Sequence, residues 1–161
     1  MTECKMPIGL LKDILDKKPR EGRLLGLDQG TKRTGVAISD PMQHIASAIE
    51  VIERKKFSID VKRLKEIYDE YEVKGFIIGY PLNMDGTEGP RCDSVKDYAL
   101  NIKQTGLFGD DPWIAFYDER LSTAAAQDFL IEQVDMNRKR RGEVIDKMAA
   151  QNILQGALDC F

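Results

Sequence analysis

A glycine-rich turn between two apolar runs, in the stretch LGLDQGTKRTGVAIS at residues 25–39, constrains the fold more than any other feature. Each run has the length and composition of a strand, and a short turn between two such runs is typical of an antiparallel hairpin. The first run ends on a single carboxylate, Asp28, just before the turn. The sequence therefore predicts two antiparallel strands with an acid at one end.

The rest of the chain alternates between strand-like and helix-like patterns. A third strand is predicted over residues 47–54, and the runs GFIIGY at 75–80 and PWIAFYDER at 112–120 have the composition of buried strands. Apolar residues at helical spacing predict helices between and after these strands. The order β-β-β-α-β-α-β-α-α predicts an α/β fold with a five-stranded mixed sheet. Three antiparallel strands precede two parallel ones, and helices cover both faces.

Residues 1–22 precede this pattern. Charged side chains among apolar ones predict one short helix over about residues 7–17. No apolar stretch reaches the roughly 20 residues of a membrane-spanning helix, and the segment lacks the apolar core of a secretion signal. The three cysteines stand far apart without metal-ligand spacing, as is typical of reduced thiols. We therefore expect a cytoplasmic protein with no membrane partner.

Charge gives a local rather than a global signal. The formal net charge of −3 at pH 7 does not by itself indicate a nucleic-acid-binding protein. Two basic clusters stand out, ERKK at residues 53–56 and NRKRRGE at residues 137–143. Each is compatible with a solvated loop or with contact to a phosphate backbone.

Four acids fall where the predicted elements meet. Asp28 ends the first strand, and the neighbours Asp118 and Glu119 end the fifth, so these two point to opposite faces. Asp146 heads an apolar stripe on the last helix, where a buried carboxylate must be paired, hydrogen-bonded or bound to a metal. Because parallel strands deliver their carboxyl ends to one edge of a sheet, we expect these acids to converge there.

Converging carboxylates are suitable ligands for Mg²⁺ or Mn²⁺, and two such ions roughly 4 Å apart support phosphodiester hydrolysis. Taken singly, Asp28 can instead be a turn former and Asp146 a charge at a helix N-terminus. An Asp-x-Gly-Thr hairpin also holds ATP phosphates in actin-like and sugar-kinase ATPases. Those proteins close two domains over the nucleotide, whereas 161 residues suffice for one, which disfavours that alternative.

Four blocks of the sequence resemble the YqgF-like pre-16S rRNA nucleases, a family also described as Holliday-junction resolvase-like. The blocks are GLDQGTKRTGVAISD, IIGYPLNMDGTEGPR, YDERLSTAAA and IDKMAAQNILQGALD, and they occur in the family's order from about residue 23 to the C-terminus. The resemblance implies an RNase H-like nuclease domain over residues 23–161. It also implies a metal-dependent nuclease that matures the 5′ end of small-subunit ribosomal RNA.

The resemblance further implies roles for individual residues. Asp28, Glu119 and Asp146 are the implied catalytic acids and ligands of Mg²⁺ or Mn²⁺. Asp118 is the alternative to Glu119, and we favour Glu119 because its longer side chain extends further toward a site at the end of the strand. The family usually has proline where this chain has Gln29, which changes the backbone but keeps the carboxylate of Asp28. Other residues in the matching blocks are expected either to contact substrate or to hold loops by hydrogen bonds: Lys32, Arg33, Asn83, Arg91, Arg120 and Thr123.

Three functions are compatible with these features. The favoured one is a divalent-metal-dependent hydrolase that cleaves precursor rRNA. The same site can instead serve a resolvase of branched DNA, whose two symmetric cuts require a dimer on the junction; we expect a monomer or a weak homodimer. The third is an RNase H-like module that binds nucleic acid without cleaving it, although a pure binder has no need of carboxylates that repel phosphate.

Overall fold

A computed structural model describes residues 8–30, 32–82, 85–109, 112–118 and 138–161, the side chains of the last segment from residue 147 onwards. Six strands form one sheet: β1 (Ile8–Leu10), β2 (Arg23–Gln29), β3 (Arg33–Ser39), β4 (Ala46–Glu53), β5 (Val73–Tyr80) and β6 (Trp113–Asp118). The helices are α1 (Leu11–Ile14), α2 (Phe57–Glu70), α3 (Pro90–Gln104) and α4 (Arg138–Leu158), and a 3₁₀ turn at Leu15–Lys17 follows α1.

The sheet has the order β1-β6-β5-β2-β3-β4. Strands β2, β3 and β4 form an antiparallel meander, and β5 and β6 run parallel to β2. The mixed sheet predicted from the sequence is therefore confirmed. The helix that the sequence predicts directly after β6 lies outside the described residues.

The N-terminal segment differs from the prediction. Residues 8–10 form a sixth strand that pairs in parallel with β6, and the predicted helix is reduced to the single turn of α1 and the 3₁₀ turn. The prediction of five strands was thus wrong by one. Without β1, the backbone groups of β6 would be unpaired on that side. The indole Nε1 of Trp113 also donates a buried hydrogen bond of 2.9 Å to the carbonyl oxygen of Ile14.

Alternating side chains divide the core between the two faces of the sheet. One face packs on α2 and α3 and buries Leu25, Leu27, Ile78 and Phe116, among others. The opposite face packs on α4 and buries residues of the other parity, including Leu24, Ile77 and Tyr117. Each strand residue can therefore be assigned to the α2/α3 face or to the α4 face.

Helix α4 lies close to the centre of the sheet because β2 carries glycine at the crossing point. A Cβ placed on Gly26 would lie 2.7 Å from the Cβ of Leu154 and 3.3 Å from the carbonyl oxygen of Ala150. Small buried residues on the helix, Ala149, Ala150 and Ala157, allow the same close approach. This contact fixes the position of α4 along β2, two residues before Asp28.

Candidate functional site at the carboxyl edge of the sheet

Strands β2, β5 and β6 end at one edge of the sheet, which we call the carboxyl edge. Leu27 is level with Ile78 of β5, which in turn is level with Phe116 of β6. On β2 the next residue is Asp28. On β6 the second residue after Phe116 is Asp118, which is level with Tyr80 of β5. The expected convergence of the strand ends is therefore observed.

The two described acids at this edge lie on opposite faces. Asp28 is half-buried, and it has the parity of Leu24 and Gly26, which face α4. Asp118 has the parity of Phe116, which faces the α2/α3 side. It borders a groove of about 420 Å³ that residues of both faces line, Glu88 and Phe116 from one and Leu11 and Tyr117 from the other. By strand parity, Asp28 and Asp118 therefore belong to opposite faces of the sheet.

The remaining predicted residues are described in part or not at all. Asp146 lies within α4, one helical turn before Ala150, and its side chain lies outside the described residues. Four other predicted residues also lie outside them: Asn83, Glu119, Arg120 and Thr123.

The turn after Asp28 is held by backbone hydrogen bonds. The N–H of Gly30 donates to the carbonyl oxygen of Arg33 at 2.9 Å, and a Cβ at Gly30 would lie 2.8 Å from that same oxygen. Glycine is therefore required for the tight closure of this turn. Lys32 and Arg33 stand at the carboxyl edge because this turn ends where β3 begins, at Arg33. The Lys32 side chain is exposed and that of Arg33 is half-buried.

Arg91 approaches the same edge from the start of α3. Gly89 is the N-cap of this helix and Pro90 its first residue, a combination that favours helix initiation. The Nη2 of Arg91 donates a hydrogen bond of 3.3 Å to the carbonyl oxygen of Gln29, the residue after Asp28. The structure thus brings Lys32, Arg33 and Arg91 to the end of β2, and their expected contact with substrate stays a prediction.

Arg54 joins this group although sequence reasoning did not single it out. Its Nη1 donates a hydrogen bond of 2.7 Å to the carbonyl oxygen of Gly30, and its backbone N–H donates to the carbonyl oxygen of Lys32 at 2.9 Å. The register explains the placement, since Arg33 at the start of β3 pairs with Glu53 at the end of β4. The basic cluster at residues 53–56 was the available signal, and the antiparallel register would have placed it at this edge.

A second missed group holds the end of β5. The buried Tyr80 donates its hydroxyl proton to Glu88 at 2.8 Å, and Lys96 of α3 donates to the other oxygen of Glu88 at 2.8 Å. Burial, together with the bond to Glu88, raises the pKa of Tyr80 to about 12. These bonds connect the end of β5 to α3. No local sequence pattern signals such an arrangement.

The described residues alone do not form a metal site. Within residues 8–118 and the C-terminal half of α4, apart from the gaps named above, no group of three His, Cys, Asp or Glu side chains is arranged to hold an ion. Of the three acids predicted to bind the metal, Asp28 is the one whose side chain lies among the described residues. In the same part of the chain, no helix is long and apolar enough to span a membrane.

Comparison with known proteins identifies relatives over nearly the whole chain. A family described as RuvX, Holliday junction resolvase, matches residues 22–160. A protein of Rhodospirillum centenum named "Putative pre-16S rRNA nuclease" is 50% identical over 155 residues, which cover 96% of this chain and 82% of that protein. A protein of the same name from Jannaschia sp. is 52% identical over 136 residues and 84% of each chain.

Solved structures show the same fold at low sequence identity. RuvC of T. thermophilus, solved in complex with a Holliday junction substrate, has a TM-score of 0.51 and 13% identity, and the match covers 86% of this chain and 94% of that one. The Holliday junction resolvase of fowlpox virus has a TM-score of 0.51 and 14% identity, covering 86% and 99%. The expected RNase H-like fold is thereby confirmed.

Proposed function

This chain belongs to the RuvX family of nucleases, and we propose that it is a divalent-metal-dependent endonuclease that processes the 5′ end of pre-16S ribosomal RNA. The observation that supports this most strongly is the position of Asp28. It lies at the carboxyl edge, on the face covered by α4, with a guanidinium bound to the next carbonyl along the chain. Relatives at about half identity carry the name of a pre-16S rRNA nuclease.

Asp28, Glu119 and Asp146 are the residues that would hold Mg²⁺ or Mn²⁺. The donor set fits these ions because all its ligand atoms are carboxylate oxygens. The alternation of β6 supports Glu119 over Asp118, because its odd-numbered residues up to Tyr117 pack on the α4 face and the next odd position is Glu119. Asp146 precedes Ala150 by one turn, and Ala150 packs over Gly26 near Asp28.

The chain's own side chains would bind and orient the substrate. The exposed Lys32 offers a flexible charge to a phosphate, whereas the guanidinium of Arg91 donates one hydrogen bond to the carbonyl oxygen of Gln29 and keeps its other N–H donors for a phosphate. The acids repel a phosphate unless a cation neutralises them, so placement of the scissile phosphate depends on the metal, whereas binding of the flanking phosphates by basic residues does not. A divalent metal held by these residues would supply activation of a water molecule and stabilisation of the leaving oxygen of the phosphodiester.

The experiment that tests this proposal compares two substrates. The purified chain is incubated with an RNA spanning the 5′ end of 16S rRNA and with a four-way DNA junction, each with Mn²⁺ or with EDTA. We expect cleavage of the RNA at a defined position with Mn²⁺ and none with EDTA. Cleavage of the junction alone would favour the resolvase function that the family's description names. Cleavage of neither substrate would refute a nuclease role.

A further inference from the structure

The end of β4 is attached to the turn after Asp28 by two hydrogen bonds. The backbone N–H of Arg54 donates to the carbonyl oxygen of Lys32 at 2.9 Å, and its guanidinium donates to the carbonyl oxygen of Gly30 at 2.7 Å. The residues that follow, Lys55 and Lys56, precede α2. The segment 54–56 therefore extends the carboxyl edge away from Asp28 on the side of β4.

This segment presents cations to solvent. Arg54, Lys55 and Lys56 are all exposed, and no carboxylate within the described part of the chain forms an ion pair with them. The buried carboxylate of Asp60 accepts hydrogen bonds from the backbone N–H of Lys55, at 3.2 and 3.3 Å. Glu53 is the one acid among the four residues of the cluster, which therefore has a net positive charge of its own. Lys55 also borders a groove that Glu50, Glu53 and Asp60 line.

The arginines Arg54 and Arg91 stand on either side of the end of β2. Arg91 donates to the carbonyl of Gln29 and Arg54 to the carbonyl of Gly30, so two guanidinium groups from different elements are anchored on consecutive peptide units after Asp28. An anchored guanidinium loses little freedom when it binds a phosphate, which favours it as a phosphate ligand. Arginines on both sides of an acid suit a strand of nucleic acid that crosses the edge.

We propose that Arg54, Lys55 and Lys56 bind the phosphate backbone of the substrate to one side of the scissile bond. This inference rests on the proposed nuclease function. Strand β4 lies two strands from β2, a distance of about 10 Å. At roughly 3.4 Å per nucleotide along a strand, Lys55 and Lys56 contact phosphates about three nucleotides from the one at Asp28. Arg54, whose guanidinium reaches Gly30, contacts a phosphate nearer to Asp28.

The salt dependence of binding tests this proposal, because each phosphate contact releases counterions. The logarithm of affinity falls with the logarithm of salt concentration by about 0.9 per contacted phosphate on a duplex and about 0.7 on a single strand. Binding of the 5′ leader RNA and of the four-way junction is measured by fluorescence anisotropy in EDTA at several NaCl concentrations. The full chain is used in every case.

The test variant is Lys55→Gln/Lys56→Gln, and the matched control is Lys17→Gln/Lys74→Gln. Both remove two exposed charges, but Lys74 stands at the beginning of β5, at the opposite edge of the sheet. We expect the test variant to lower the magnitude of the salt slope by about 1.4 to 1.8 and to weaken binding, while the control keeps the slope of the original chain. In addition, Arg54→Lys should retain more affinity than Arg54→Gln.

The outcomes separate this inference from the proposed function. If the original chain binds nucleic acid and the test variant keeps its salt slope, the segment does not contact phosphates and the inference is refuted. Equal losses in the test variant and in the control also refute it, because the effect would then be one of net charge. If the original chain neither binds nor cleaves either substrate, the proposed function itself fails.

Discussion

Asp28 and Asp118 both end strands at the carboxyl edge, yet they lie on opposite faces of the sheet. Asp28 shares the α4 face with Leu24 and Ile77, whereas Asp118 is level with Tyr80 on the α2/α3 face. Because of this difference in strand parity, we expect Glu119 rather than Asp118 to act with Asp28.

The two neighbouring acids should respond differently to neutralisation. We expect Glu119→Gln to lower the Mn²⁺-dependent cleavage rate at least about a hundredfold, because a metal ligand contributes several kcal/mol to the transition state. Asp118→Asn should keep the rate within about tenfold. Cleavage rates on one RNA substrate, with the two variants side by side, provide the measurement. The reverse ranking would show that Asp118 is the ligand.

The crossing of α4 over Gly26 should be sensitive to a single methyl group. We expect Gly26→Ala to lower the free energy of unfolding by about 1–3 kcal/mol, because the added Cβ overlaps Leu154 and the backbone of the helix. Gly9→Ala is the matched control, since a Cβ there would meet Ile14 at an ordinary 3.6 Å. Urea denaturation measures both. Equal stability of Gly26→Ala and the original chain would contradict the close approach.

The meander and the parallel strands could be predicted because their signals are local. The turn glycines, the run GFIIGY and the helical spacing after it each define one element, and the handedness of crossovers orders them. The strand at Ile8–Leu10 could not be predicted in this way. Three residues carry little pattern, and they form a strand because β6 offers an unpaired edge far along the chain.

The candidate site shows the same contrast between local and long-range signals. Asp28, Lys32 and Arg33 lie within six residues of sequence, so one turn places them together. Arg54 reaches the same turn only through the register of β3 and β4, and the bond between Tyr80 and Glu88 depends on the course of a loop. Such contacts are set by tertiary packing rather than by a periodic pattern.

The N-terminal segment at residues 8–17 should contribute to stability through the hydrogen bond between Trp113 and Ile14 of α1. Its indole N–H donates to the carbonyl oxygen of Ile14 in a buried setting. We expect Trp113→Phe to lower the free energy of unfolding by about 1–3 kcal/mol, because the substitution leaves that carbonyl without its donor. Thermal or urea denaturation measures the loss. A change below about 0.5 kcal/mol would show that the segment at residues 8–17 is not held by this bond.

Stability should fall at alkaline pH because of two buried tyrosines. Burial raises the pKa of Tyr80 to about 12 and also raises the pKa of Tyr98. Above about pH 10 the unfolded chain loses phenol protons that the folded chain keeps, so the free energy of unfolding decreases as pH rises from 10 towards 12. Each tyrosine contributes at most about 1.4 kcal/mol per pH unit.

Urea denaturation at pH 8, 10 and 11 measures this slope. Tyr98→Phe and Tyr80→Phe should each make it shallower, because one group that binds a proton differently in the two states is removed. An unchanged slope in both variants would show that these tyrosines do not titrate differently on unfolding.

Mn²⁺-dependent cleavage by the Asp28→Asn variant tests the central claim most directly. The substitution keeps the size of the side chain and removes the charge that would bind the ion. We predict that the original chain cleaves the 5′ leader RNA with Mn²⁺ and that Asp28→Asn cleaves it at least about a hundredfold more slowly, while a cooperative unfolding transition shows that the variant is folded. Cleavage by a folded Asp28→Asn variant at the rate of the original chain would contradict a catalytic metal site at Asp28.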